Sequence, residues 1–170
     1  MDPKPPVRWH TREDSGLRLD RELNWWHDGE RIEHPNIVAA FNRGVQLADD
    51  GRVKLVFGND WCFIEVEDCA YGVTGLEVRA AGLELHLSDG SDERLDAMSL
   101  ELSPHGFLTA KVKQGRARAR FSRPAHFWLA ERLRVAGEAV VLEVGGLAQP
   151  TSLPVAALSA DDVEVAPGSP

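Results

Sequence analysis

Residues 23–33 read Leu23-Asn24-Trp25-Trp26-His27-Asp28-Gly29-Glu30-Arg31-Ile32-Glu33, and His34-Pro35 follows at once. Asp-Gly tolerates the positive φ angles of a type I′ turn, so the stretch predicts two short strands joined at Asp28-Gly29. Pairing outward from that turn sets His27 opposite Glu30, Trp26 opposite Arg31 and Trp25 opposite Ile32. Leu23, Trp25 and Ile32 then share one face, the expected core side. Pro35 falls where the first turn of a helix needs no N–H donor, Ile37, Ala40 and Phe41 follow at helical spacing, and Gly44 supplies a stop. The predicted unit is strand, strand, Pro-initiated helix.

The same grammar returns about ninety residues later. Residues 107–121 alternate as two strands around Gln114-Gly115; Ser122-Arg123-Pro124 then leads into a helical stretch with Ala125, Trp128, Leu129 and Leu133 on one face. Between the two units, Val53 to Phe57 and residues 61–66 suggest a hairpin across Gly58-Asn59-Asp60. Residues 76–79 and 83–87 suggest another around Ala81-Gly82, and the polar residues 88–96 read as a loop. The expected fold class is therefore α+β, mostly antiparallel sheet, in two small apposed halves with a seam near residues 70–76. The halves are residues 15–73 and 74–147, flanked by Pro-rich or irregular ends at 1–14 and 148–170. Pro3, Pro5 and Pro6 at one end and Pro150, Pro154, Pro167 and Pro170 at the other interrupt regular backbone hydrogen bonding.

Composition sets the outer bounds. With 170 residues, 43% hydrophobic and 27% charged, and a mean hydropathy of -0.27, the chain is an ordinary globular one with no apolar run long enough to span a bilayer. Nothing at the N-terminus resembles a secretory signal, so a cytosolic, cytoplasmic location is expected and no membrane partner. Cys62 and Cys69 are spaced for neither a zinc knuckle nor C-x-x-C redox chemistry and read as reduced, partly buried thiols. A net charge of -8 argues against coating nucleic acid with the whole surface.

That charge is unevenly distributed. Lys111, Lys113, Arg116, Arg118, Arg120 and Arg123 fall within thirteen residues that contain no acid, leaving -14 for the rest of the chain. With a two-residue turn at Gln114-Gly115, Lys113 faces Arg116 and Lys111 faces Arg118. These four share one face with Arg120, while Ala110, Val112, Ala117, Ala119 and Phe121 take the other. Like charges directly opposite cost up to about 1 kcal/mol per pair, so something has to compensate them. An anionic ligand gripped by guanidinium forks is one answer. Acids from elsewhere, Asp89, Asp92, Glu93, Asp96 or Glu101 among them, are another.

Other signals are weaker. Trp26 lies on the face of the first hairpin away from the core, where it stacks on Arg31 or offers an aromatic platform for a base. His27 has Asp28 and Glu30 as acid–base neighbours but also reads as a turn-flanking surface residue. His126, two residues past Pro124, is placed to meet an anion at that helix start. Residues 89–94 superficially look like a calcium loop, yet Gly is missing from the sixth place and Leu100 occupies the twelfth. Histidines 10, 27, 34, 86, 105 and 126 show no metal-ligand spacing, so any metal site has to be assembled from distant segments. No nucleophile elbow, phosphate loop or dinucleotide turn is present. No catalytic residue, metal ligand or cofactor is assigned from the sequence.

The order Asp20-x-x-x-x-Trp25-x-His27-Asp28-Gly29-Glu30-x-Ile32-x-x-Pro35, then Val66-Glu67-Asp68, then Gly115-x-Ala117-x-Ala119-x-Phe121-Ser122-Arg123-Pro124 resembles the bacterial domain-of-unknown-function family 1285. The resemblance spans residues 17–135 and departs at Phe57-Gly58-Asn59-Asp60, where the family more often has a Thr-Pro-Val type turn. It implies two small α+β domains with repeated motifs and a cleft holding a small, nucleotide-like ligand in a signalling role; it brings no catalytic residues with it. The expected function is a non-enzymatic regulatory module that binds an anionic small molecule between its halves, through the six bases together with Trp26 and His126. The alternative is a protein-interaction module whose basic hairpin meets an acidic partner. A third reading, a hydrolase or transferase, uses His27 or His126 with a nearby carboxylate. Single-stranded nucleic acid is disfavoured because the net field opposes its approach.

Overall fold

The computed structural model describes residues 9–158. The chain divides into two compact units: the first runs to Tyr71 and includes Ser88–Gly90, and the second takes Gly72–Leu87 and continues from Ser91. In the first unit the strands are β1 (Leu17–Leu19), β2 (Trp25–His27) and β3 (Glu30–Arg31). Helix α1 (Pro35–Gly44) follows, then β4 (Val45–Leu47), β5 (Val53–Phe57), β6 (Asp60–Phe63) and β7 (Glu65–Val66). They form one sheet of order β3-β2-β1-β7 and another of order β4-β5-β6. The β2–β3 hairpin has the register read from the sequence, Trp26 opposite Arg31 and His27 opposite Glu30. Its turn has φ of 49° at Asp28 and 84° at Gly29, as a type I′ turn requires.

Trp25 is fully buried. Phe41 of α1 meets its ring edge-on at 5.2 Å, and its indole N–H donates to Asn42 Oδ1 at 2.8 Å. That contact ties α1 to the hairpin that precedes it and satisfies the indole donor of the buried ring. Ile32 and Leu23, expected on the same core face, are half-buried, and Ile37 on α1 is exposed.

The second unit contains β8 (Tyr71–Arg79), β9 (Gly82–Leu87), β10 (Asp92–Arg94), β11 (Glu101–Leu102), β12 (Leu108–Val112) and β13 (Ala117–Phe121). Helix α2 (Arg123–Ala130) and strands β14 (Leu133–Ala136), β15 (Ala139–Val144) and β16 (Leu147–Pro150) complete it. Six of these strands make a sheet of order β10-β9-β8-β13-β12-β11, and the last three a separate sheet. The fold class is α+β as expected. Ten strand pairs run antiparallel, and β1 runs parallel to β7. Ala110, Val112, Ala119 and Phe121 of β12 and β13 are buried, as is Leu129 of α2, which packs against β13.

Four local expectations change. Residues 61–66 are not one strand: β6 ends at Phe63, and β7 joins β1 in the other sheet, so a single apolar run serves two sheets. The loop expected over 88–96 contains β10, an edge strand whose Asp92 and Arg94 sit opposite His86 and Glu84 of β9; outward-facing charge on an edge strand reads as loop in sequence. Leu133 belongs to β14, since α2 stops at Ala130. The C-terminal end expected to be irregular opens with β16, which tolerates Pro150 at its terminus because a proline there costs little pairing. The prolines at positions 3, 5, 6, 167 and 170 lie outside the described residues.

Candidate functional site

The first unit holds a cavity of about 810 Å³, within the size range of small-molecule sites. Three segments build it. The stretch before β1 contributes His10, Thr11, Arg12 and Ser15; the β2–β3 hairpin with the start of α1 contributes His27, Glu30, Arg31, Ile32, Ile37 and Phe41; β6 contributes Asp60, Trp61 and Cys62. The lining mixes apolar and aromatic side chains, Ile32, Ile37, Phe41 and Trp61, with four basic ones, His10, Arg12, His27 and Arg31. The exposure of Ile37, which its helical spacing would send to the core, follows from its place in this lining.

Backbone bonds hold the N-terminal segment against β6. The Phe63 N–H donates to the Arg12 carbonyl at 2.8 Å, and the Ser15 hydroxyl donates to the Phe63 carbonyl at 2.7 Å. A turn closed by the Asp14 N–H on Thr11 Oγ1 precedes it. The Arg12 guanidinium then lies 5.0 Å from the Trp61 ring centroid and donates weakly to Asp60 at 3.4 Å. Arg31 donates to Asn24 Oδ1 at 2.7 Å.

His10, His27 and Asp28 cluster at the edge of this cavity. His10 Nε2 is 2.8 Å from Asp28 Oδ2, His27 Nε2 is 3.8 Å from the same oxygen, and the two imidazole centroids are 4.8 Å apart. Close approach depends on Gly16. A Cβ there would lie 2.4 Å from Asp28 Oδ1 and 2.7 Å from His10 Cε1, and the residue's φ of +69° is one that L side chains rarely adopt.

Beneath the hairpin, Asp20 is buried and accepts four hydrogen bonds. They come from the N–H groups of Glu22 and Asn24, the Asn24 amide and the Trp26 indole, at 2.7–3.1 Å. Burial pushes this carboxyl up, but the Trp26 and Asn24 donors outweigh it and hold it below the ordinary aspartate value. Trp26 is thus tied down by Asp20, and Arg18, not Arg31, covers its ring at 5.1 Å. Trp26 lines a smaller recess with Arg18, Arg52 and Glu65 and not the large cavity.

The basic hairpin lies in the second unit. Lys111 pairs with Arg118, and Thr109 with Arg120, so Lys111, Arg118 and Arg120 share a face. Residues 113–116 form the turn, and Lys113, at a φ of 55°, leaves the ladder. Its N–H donates to both oxygens of Glu93, at 3.1 and 2.9 Å. Its ammonium reaches Ser91 Oγ at 2.6 Å and Glu93 Oε1 at 3.3 Å. Arg118 lies 3.8 Å from Glu101, Arg120 stacks on Phe107 at 3.6 Å, and Arg123 lies 5.7 Å from Phe127. Arg116 and Lys111 are exposed.

His126 accepts the Leu108 N–H on Nδ1 at 3.2 Å, which puts its proton on Nε2. Burial, and secondarily the Arg120 charge, push its pKa below the ordinary imidazole value. None of the six bases, nor His126, lines the large cavity. Sequence reading of candidate residues passed over His10, Arg12, Arg31 and Trp61 as a group. His10 lies eighteen residues from Asp28, and Trp61 a further thirty-three along the chain, so no local pattern joins them.

A scan of protein-family models and a search of curated proteins each returned no match to this chain. Two solved structures do share this arrangement of elements. A DUF1285 family protein from Silicibacter pomeroyi DSS-3 superposes with a TM-score of 0.63 at 19% identity, over 85% of this chain and 82% of that one. A second, from Shewanella baltica OS155, does so with a TM-score of 0.52 at 16% identity, over 69% and 91%. The fold is an α+β one, and it is the fold seen in those DUF1285 family proteins.

Proposed function

We propose that this chain is a regulatory, small-molecule-binding module whose ligand sits in the cavity of the first unit. One observation supports it: an 810 Å³ cavity whose lining combines the basic side chains of His10, Arg12, His27 and Arg31 with the apolar ones of Trp61, Phe41, Ile32 and Ile37. That lining suits a ligand with an anionic group and a flat ring, a nucleotide-like molecule being the plainest case. Guanidinium forks take the anion and the indole takes the ring. The basic hairpin is the weaker seat for this ligand because none of its six bases lines that cavity.

The test is thermal unfolding against nucleotides, cyclic dinucleotides, phosphosugars and simple anions. A ligand at one hundred times its dissociation constant adds about 2.7 kcal/mol, which raises the midpoint of a chain this size by roughly 5–10 °C. The shift is expected to vanish in Arg12→Glu/Arg31→Glu and to survive in Lys111→Glu/Arg116→Glu. The reverse pattern would place the anion on the basic hairpin. A flat panel would favour a second reading, in which the exposed Lys111–Arg118 pair of like charges receives an acidic partner protein in a salt-sensitive manner.

A further inference from the structure

We propose that His10, His27 and Asp28 form a binding site for a divalent transition-metal ion at the edge of the first unit's cavity. Their donor atoms, one from each side chain, all lie within 4.8 Å of one another. A metal bonded to nitrogen and oxygen at about 2.0–2.1 Å holds adjacent donors about 3 Å apart. The His10–Asp28 separation of 2.8 Å already meets this, and the His27–Asp28 separation of 3.8 Å needs to close by less than 1 Å.

Three features make the cluster more than a chance meeting of surface groups. The donors come from two segments, each held by hydrogen bonds next to the cluster. Residues 11–15 are anchored to Phe63, and Asp28 sits in a type I′ turn whose N–H donates to the Gly16 carbonyl at 3.0 Å. Gly16 leaves the space that a Cβ would fill, 2.4 Å from Asp28 and 2.7 Å from His10. Both imidazoles line the cavity, so the coordination positions that three protein donors leave open adjoin the space where a ligand would lie.

The donor set also selects the ion. Two imidazoles and one carboxylate suit zinc, cobalt, nickel or copper, whereas calcium and magnesium require mostly oxygen. The second histidine–carboxylate cluster among the described residues, Glu84, His86 and Asp92, has one imidazole and two carboxylates. With one imidazole where the first cluster has two, it is the poorer match to such an ion and serves as the internal control. The proposal is independent of the ligand reading, because the metal is tested alone.

The experiment titrates Co2+, then Zn2+, into the untagged full chain. Visible cobalt absorption and equilibrium dialysis follow binding, and imidazole NMR resonances report its place. One equivalent is expected to bind and to move the His10 and His27 resonances. His10→Gln, His27→Gln and Asp28→Asn are each expected to weaken it by at least the roughly 10–100-fold that losing an outer-shell partner costs. His86→Gln is expected to leave it unchanged. No saturable binding by the wild-type chain would overturn the site, as would perturbation of His86 in place of His10 and His27. Full affinity in the three variants would do the same. Should a variant unfold by far-UV circular dichroism, the wild-type resonances decide the matter.

Discussion

Two hairpins in this molecule are written in one local grammar and end differently. β2–β3 and β12–β13 both turn through an x-Gly pair with positive φ, and both feed a helix with proline in its first turn. The first hairpin carries few charges, yet its tip residues His27, Asp28, Glu30 and Arg31 meet His10 and Arg12 from another segment around an open cavity. The second carries the densest charge in the chain, and its unit sets acids and an aromatic ring against part of that charge. Glu93 on β10 holds Lys113, Glu101 on β11 approaches Arg118, and Phe107 lies under Arg120. A site is made by convergence in space, and a run of like charge along the chain is first a problem that the fold has to solve.

If the first hairpin is the better-supported platform, removing its support should cost most. Asp20→Ala strips the acceptor from the Trp26 indole, the Asn24 amide and two backbone N–H groups beneath the β1–β2 connection. Unsatisfied donors cost about 1–3 kcal/mol each when they stay dry, so a loss of about 3 kcal/mol in urea unfolding is expected. The carboxyl's lowered pKa gives the sign with pH: its contribution is present above the ordinary aspartate value and fades as pH falls through the lowered one. A loss below 1 kcal/mol would mean that water replaces Asp20 and that the hairpin stands without it.

The second hairpin gives a smaller effect with a more telling side. Glu93→Ala frees the Lys113 N–H and its ammonium together, and about 1–2 kcal/mol should be lost. The same change unmasks positive charge, so the variant should be held more tightly than the wild-type chain, in a salt-sensitive manner, by an anionic resin or polyanion. Equal retention of both proteins would show that Glu93 was not what kept this face quiet, and the contrast between the hairpins would collapse.

Much of this contrast was legible in the sequence and its decisive part was not. The turn at Asp28-Gly29, the register of β2 on β3, the pairing of Lys111 with Arg118 and both proline-led helices follow from local patterns, because turn chemistry and side-chain alternation are local. Glu93 and Glu101 could be named only as two acids among several, since β10 hides in a polar stretch that reads as loop. His10, Arg12 and Trp61 carried no signal at all. Their meeting with the first hairpin is fixed by the chain crossing from β6 to β7 and by hydrogen bonds from Phe63, which are tertiary facts.

The smallest expected effect tests whether the second hairpin's charge stays unoccupied. Two histidines of that unit are shifted in opposite directions. The hydrogen bond to Asp92 outweighs an opposing desolvation and, with the nearby charges of Asp92, Glu77 and Glu84, holds His86 above the ordinary imidazole value. Burial, with the Arg120 charge behind it, holds His126 below that value. Imidazole resonances should therefore titrate on either side of the ordinary value of about 6.5. The stability contributions follow with opposite sign. That of His86 is full below the unfolded value and is lost as pH rises through its raised one. For His126, stability is full above the unfolded value and falls as pH drops below it toward the lowered one, because the unfolded chain takes up the proton first. Because Arg120 is one cause of the His126 shift, an anion seated on the basic face would screen that charge and move the His126 midpoint upward. Phosphate or a nucleotide that binds in the first unit's cavity should leave it in place, so a rise in that one resonance would return the second hairpin to the position of a ligand site.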